Sequence, residues 1–270
     1  MEKRLIKLSA YVLIMIFGFA FLNHVLLAQK KFEGYWDQQV VRKSTLPGQP
    51  PSVTENEKAY YKPGKMKIAN LTTGNIIIIR LDKELMWTID EKNKSYTEMT
   101  FADMERSMDE AKSAMKDEMK DMDPEQRKMM EKLMGKKLGS ALGSGDGAEI
   151  TVKQTGKKKK ILDYDCEQII MYLNNQQLME MWMTDKYDLG SEFLKLYERM
   201  GFLKGKLSED AKKIRGISIL SKASFDTGMG KIDTETKVTK IESTSVSDSE
   251  FDVPKGYAKK KMAMPFDRQK

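Results

Sequence analysis

The chain predicts an α+β fold: an antiparallel sheet that carries a Met-rich helical hairpin as an insert. Two observations carry this prediction. Residues 76–81, 85–89 and 95–99 are short apolar or alternating blocks joined by the polar turns Asp82-Lys83-Glu84 and Glu91-Lys92-Asn93-Lys94, the pattern of a β-meander. At Thr100 the period changes. Met104, Met108, Met115, Met119 and Met122 recur at spacings of three, four and seven and so fall on one side of a helix. Sheet and helices therefore share a core.

Residues 1–28 stand apart from that core. Lys3, Arg4 and Lys7 precede an apolar run over 11–22, and Ala28 is the small residue that cleavage of a secretory signal peptide requires. An uncleaved N-terminal anchor is the alternative, because about 20 apolar residues also span a bilayer. Removal of the leader takes three positive charges and one negative, so the formal charge of +7 falls to +5. The remaining excess is gathered in residues 157–160 and 259–261, runs that suit acidic phospholipid head groups but read first as a solvated turn and tail. Export and a weak positive balance argue against nucleic acid as a partner. Cys166 is the single cysteine, which excludes a disulfide scaffold and a lipid-bearing cysteine behind the leader.

The elements follow in order. A first strand lies within 32–44 and ends at the consecutive prolines Pro50 and Pro51, after which a loop is expected to about Glu57. Residues 59–68 form an extended stretch interrupted by Pro63-Gly64, and the three strands already described follow. Connections this short allow only antiparallel pairing. Thr100 with Asp103 caps a first helix, and Asp123-Pro124-Glu125-Gln126 starts a second that carries Met129, Met130, Leu133, Met134 and Leu138. The hairpin insert spans 101–142, and the Gly/Ser-rich stretch 139–147 reads as a flexible linker. Strands resume at 149–154, 160–162, 166–173 and 177–184, and a helix is expected at 191–203 behind Ser191. Last strands are expected at 216–225, 232–243 and 249–253. The organisation is thus a signal peptide at 1–28, one domain at 29–258 and a basic flexible tail at 259–270.

Six stretches resemble a known family. They are Tyr60-Tyr61-Lys62-Pro63-Gly64-Lys65-Met66, Tyr96-Thr97-Glu98-Met99, residues 122–130, Asp163-Tyr164-Asp165-Cys166, Met181-Trp182-Met183-Thr184 and Phe251-Asp252-Val253-Pro254-Lys255-Gly256-Tyr257. In this order, behind a signal peptide, they resemble a bacterial exported family of unknown function grouped with the LolA and LolB lipoprotein carriers. The resemblance implies a strongly curved, incomplete β-barrel, a LolA-like half-barrel whose concave side holds an apolar cavity closed by helices. It implies acyl-chain binding by analogy with the carriers, and no enzymatic activity.

The candidate ligand-binding residues are Met104, Met108, Met115, Met119, Met122, Met130 and Met134, whose pliable thioethers suit varied apolar partners, with the aromatics Trp87, Tyr96 and Trp182. Each methionine taken singly is ordinary core packing for a helical stripe. Cys166 reads as a buried structural thiol, since the mature chain has no histidine to activate it. Asp163 and Asp165 would share a strand face. No Ser-His-Asp set, phosphate-binding Gly-rich loop or zinc spacing occurs, so no catalysis and no cofactor are expected. The expected function is non-catalytic binding of an acyl chain, lipid or lipoprotein in the bacterial periplasm or as a secreted protein, with membrane contact only through an uncleaved leader. The alternative is an envelope protein-protein interaction module that uses the helical hairpin. Cu(I) binding by Met115, Met119 and Met122 comes last.

Overall fold

The computed structural model describes residues 31–120, 123, 125, 150–173, 175–189, 216–226 and 230–261. These form one twelve-stranded sheet in the order β12-β6-β5-β4-β3-β2-β1-β11-β10-β9-β8-β7. Strands β1 (Gly34–Ser44), β2 (Ser52–Lys62), β3 (Lys65–Asn70), β4 (Asn75–Arg80), β5 (Leu85–Asp90) and β6 (Ser95–Thr100) make a first meander. A second comprises β7 (Ile150–Ile161), β8 (Tyr164–Leu173), β9 (Gln176–Thr184), β10 (Ile217–Asp226) and β11 (Lys231–Ser243). Antiparallel pairing of β1 with β11 joins the two. The terminal strands of the order do not pair with each other, so the sheet is curved but unclosed, as an incomplete barrel requires.

The first meander has a regular build. Strands β3 to β6 are six residues each and start at residues 65, 75, 85 and 95. The residue before each start, Gly64, Gly74, Glu84 and Lys94, is left-handed, with φ of +78°, +79°, +52° and +44°. A left-handed residue closing a short turn returns the chain in the sense of the strand twist. Register is unbroken through β2 to β6. In the second meander the register shifts between Gln154 and Lys158, between Met171 and Tyr172, and between Ser218 and Leu220. Such bulges bend strands and increase local twist.

Of the expected hairpin insert, the first helix is α1 (Phe101–Lys120). Thr100 caps it: the Asp103 N–H donates to Thr100 Oγ1 at 3.0 Å, and that hydroxyl donates to Asp103 Oδ2 at 2.7 Å. The Glu125 N–H donates to Asp123 Oδ1 at 2.9 Å. The rest of the expected second helix, the expected linker 139–147, the helix expected at 191–203 and the leader lie outside the described residues.

Five expectations are corrected. The loop read to Glu57 ends at Ser52, because β2 begins directly after Pro51; charged residues at its inward positions, Glu55 and Glu57, disguise the strand. Pro63-Gly64 does not interrupt one strand but turns β2 into β3, pairing Lys62 with Lys65. The lysine run 157–160 is not a turn. It belongs to β7, which crosses left-handed Gly156 as a bulged edge strand and so needs no apolar face. Residues 249–253 are not a strand: a 3-10 helix, Asp248–Phe251, stands there, started by Ser247 Oγ accepting from the Ser249 N–H at 3.3 Å. Asp163 shares no strand face with Asp165, since it lies in the two-residue turn between β7 and β8. In addition, β12 (Ala258–Lys259) pairs parallel with β6, the exception to the antiparallel rule.

Candidate functional site

The first meander has two apolar faces, and they are treated differently. On one, here called outer, Ile76, Ile78, Trp87 and Ile89 are buried together with Val246 and Phe251, while Tyr60, Ala69, Tyr96, Val253 and Tyr257 pack around them. The cover is the C-terminal strap that runs from β11 through the 3-10 helix to β12. Phe251 is completely buried beneath it. Charges fasten its rim. Lys65 Nζ and Lys62 Nζ lie 2.9 and 3.1 Å from Asp248 Oδ1, and Lys67 Nζ lies 2.8 Å from Glu250 Oε2. Arg80, nearly buried, donates to Asp252 Oδ1 at 2.7 Å, to the Phe251 carbonyl at 3.1 Å and to Asp82. Hydrogen bonds from Lys65 and Lys62 hold the Asp248 carboxyl down at about 2. The Ala258 and Lys260 N–H groups donate to the Lys94 and Tyr96 carbonyls. Two stretches that carry the family resemblance, 60–66 and 251–257, therefore meet here.

The opposite, inner face carries a row of cross-strand partners: Tyr61 with Met66, Met66 with Ile79, Ile79 with Met86, and Met86 with Met99. Tyr61 and Met66 are buried, whereas Ile79, Met86 and Met99 stay half-buried at the open end of the row. In the next row Ile68 and Ile77 are half-buried and Thr88 is exposed. Phe101 and Met104, from the first turn of α1, are buried in the same cluster. So are Met171, Met179, Met181 and Met183 of the second meander. Eight of the 21 methionines thus line one continuous apolar body.

Around this body the two meanders meet through aromatic rings. Phe32 stacks on Tyr61 at 6.3 Å and meets Tyr187 edge-on at 5.0 Å, and Tyr187 meets Tyr164 at 5.9 Å. The Tyr61 hydroxyl donates to the Leu189 carbonyl. Burial and the neighbouring Tyr187 hydroxyl raise the Tyr164 phenol above its ordinary value. Cys166 is buried, and burial pushes its thiol up to about 11, so it is not a thiolate nucleophile at neutral pH. Further along the inner face, Gln38 accepts from Trp36 Nε1–H at 2.8 Å and donates to Glu57 Oε2 at 2.7 Å, and burial raises the Glu57 carboxyl.

The structure divides the expected site set. Met104 is buried on the inner face. Met108, Met115 and Met119 stand in α1, and Met122, Met130 and Met134 lie outside the described residues. Trp87 and Tyr96 belong to the outer face beneath the strap, where Trp87 Nε1–H donates to Glu98 Oε2 at 2.8 Å. Trp182 joins the large cluster, but strand alternation turns it away from Met181 and Met183. Its indole N–H donates to Glu180 Oε1 at 2.8 Å and Lys159 Nζ lies 3.8 Å over its ring. Sequence reasoning missed the sheet methionines, Met66, Met86, Met99, Met171, Met179, Met181 and Met183. Their period-two placement was the available signal. Among the described residues no group of three or more His, Cys, Asp or Glu side chains is placed to hold a metal, and no helix is long and apolar enough to cross a membrane.

Over residues 108–257 the chain matches the family described as Domain of unknown function (DUF4412). It belongs to that family. The match runs from α1 through the second meander to the strap, so this DUF4412 chain carries in it both the aromatic junction at Tyr164 and the Phe251 plug. No curated protein matches the chain. Among solved structures it is similar to an uncharacterized conserved protein from Thermus thermophilus, at 7% identity over 94% of this chain and 99% of that one, with a TM-score of 0.40. It is also similar to a chain of the Pseudomonas aeruginosa MucA/MucB complex, at 8% identity over 82% and 56%, TM-score 0.35. A third is the Mycobacterium tuberculosis lipoprotein LppX, at 10% identity over 79% and 90%, TM-score 0.28. This chain therefore spans little more than half of the MucA/MucB chain. Likeness at these scores bears on neither ligand nor mechanism.

Proposed function

We propose that this DUF4412 chain is a non-catalytic protein of the bacterial periplasm that holds an apolar ligand, the acyl chain of a lipid or lipoprotein, against the inner face of its sheet. The observation that carries this reading is the contrast in cover. The outer face of the first meander has its own strap, whereas Ile79, Met86 and Met99 on the inner face remain half-buried. Thioethers suit such a surface because their unbranched, polarizable side chains repack around chains of different shape. Met104, from the first turn of α1, adds to the ligand's surroundings from the helical side. Trp87 and Tyr96 take no part in this reading, since they lie under the strap.

The test is extraction of the purified protein followed by lipid mass spectrometry, with displacement of the neutral apolar probe N-phenyl-1-naphthylamine by fatty acids. Bound acyl chains, and probe binding weakened about tenfold by Met86→Gln with Met99→Gln, support the reading. Absence of both lipid and probe binding overturns it.

A further inference from the structure

The hairpin of β7 and β8 holds a combination that the apolar face does not explain. Lys153, Lys157, Lys158, Lys159 and Lys160 are all exposed on β7, the strand at one edge of the sheet. Their ladder neighbours Glu167 and Asp165 stand opposite Lys158 and Lys160, yet among the described residues none of the five lysines forms an ion pair. Only Lys159 is engaged, over the Trp182 ring. The turn that follows is Leu162-Asp163, and Leu162 is 44% exposed, one of two large apolar residues so exposed among the described residues. Its φ is +52°. A two-residue hairpin loop with positive φ at its first position ordinarily has glycine or asparagine there, and leucine is disfavoured by its Cβ. Lysines on an edge strand block pairing with a second sheet. That accounts for the lysines but not for a strained leucine held out in water at the tip.

We propose that this hairpin tip is a docking element for an anionic phospholipid surface, with Leu162 entering the acyl boundary and Lys157, Lys158 and Lys160 meeting the head groups. Over the whole hairpin, residues 150–173, the five lysines stand against Asp163, Asp165 and Glu167, so it keeps a positive balance. Lysines within a Debye length of such a surface each add to the attraction, and an apolar tip adds burial that a purely electrostatic contact lacks. The contact is separate from the leader and independent of what the inner face binds.

The test is co-sedimentation of the exported chain, purified in soluble form, with phosphatidylcholine vesicles and with vesicles containing about 30% phosphatidylglycerol. Binding that requires phosphatidylglycerol is expected. Changing Lys157, Lys158 and Lys160 together to Gln should weaken it about 100-fold. Leu162→Gly should weaken it about tenfold while leaving the Tm equal or higher, because glycine relieves the left-handed backbone and so cannot act by unfolding. Equal binding to both vesicles, no binding to either, or wild-type affinity in both variants overturns the proposal. Retention on polyglutamate without vesicle binding overturns it in favour of an acidic protein partner.

Discussion

The two faces of the first meander use the same strands, with alternate residues, and end in opposite states. Outward, Ile76, Ile78, Trp87 and Ile89 are sealed by a strap whose rim is fixed by four cations, Lys62, Lys65, Lys67 and Arg80. Inward, Met66, Ile79, Met86 and Met99 form a row whose outer members keep contact with solvent. The outer face is built from β-branched and aromatic groups with few rotamers, and charge settles the position of its cover. The inner face mixes Tyr61, Ile68, Ile77 and Ile79 with Met66, Met86 and Met99, whose side chains adapt. Both faces are apolar, and adaptable methionine on one side and a dedicated cover on the other distinguish candidate site from structure.

The comparison breaks most severely at the strap. Phe251→Ala leaves a cavity between sheet and strap and should cost about 3–5 kcal/mol, read by urea denaturation; a loss below about 1 kcal/mol would mean that the strap does not seal the outer face. The inner face should respond differently. Met86→Leu with Met99→Leu conserves volume and should change stability by less than about 1.5 kcal/mol. Yet it should narrow the range of fatty-acid lengths that displace the apolar probe. An unchanged range would show that pliability is not what methionine contributes.

Acid should separate the faces with the smallest effect. Asp248 sits at about 2 when folded, below its ordinary 3.8. Its hold on the strap is therefore complete above pH about 4 and is lost as pH falls towards about 2. Glu57 is raised by burial, so its charge opposes folding at neutral pH, and that cost disappears once the pH falls below its ordinary 4.5. Hydrogen exchange, corrected for intrinsic rates, should show the Ala258 and Lys260 amides losing protection at low pH before the amides of β1 and β2. Simultaneous loss would mean that the strap is not a separable unit.

Strands β4 to β6 and the Thr100 cap are legible in the sequence because each depends on neighbours within a few residues: alternation, a polar turn, a hydroxyl three residues from a carboxylate. Strand β7 is legible only at its two ends, 149–154 and 160–162; the lysine run between them shows no apolar period, since an edge strand satisfies its backbone from one side. The start of β2 is hidden by Glu55 and Glu57, whose inward position is made tolerable by Arg42 and Gln38 from the partner strand. The division of the aromatics was beyond reach for another reason. Period two sorts residues into two faces without saying which face meets methionine, and the structure places Trp87 and Tyr96 on the face beneath the strap. What decides the matter is the strap, more than 140 residues away in the chain.

That separation has a kinetic consequence. The hydrogen bonds of Lys62, Lys65 and Lys67 to the strap each span more than 180 residues. Until residue 260 is available, Ile76-Ile77-Ile78-Ile79 is bare on its outer side. Contacts of such long range slow folding, and an uncovered isoleucine run is the kind of segment that aggregates while it waits. The chain therefore folds as a whole or stays vulnerable. Refolding from denaturant should be slow and limited by concentration.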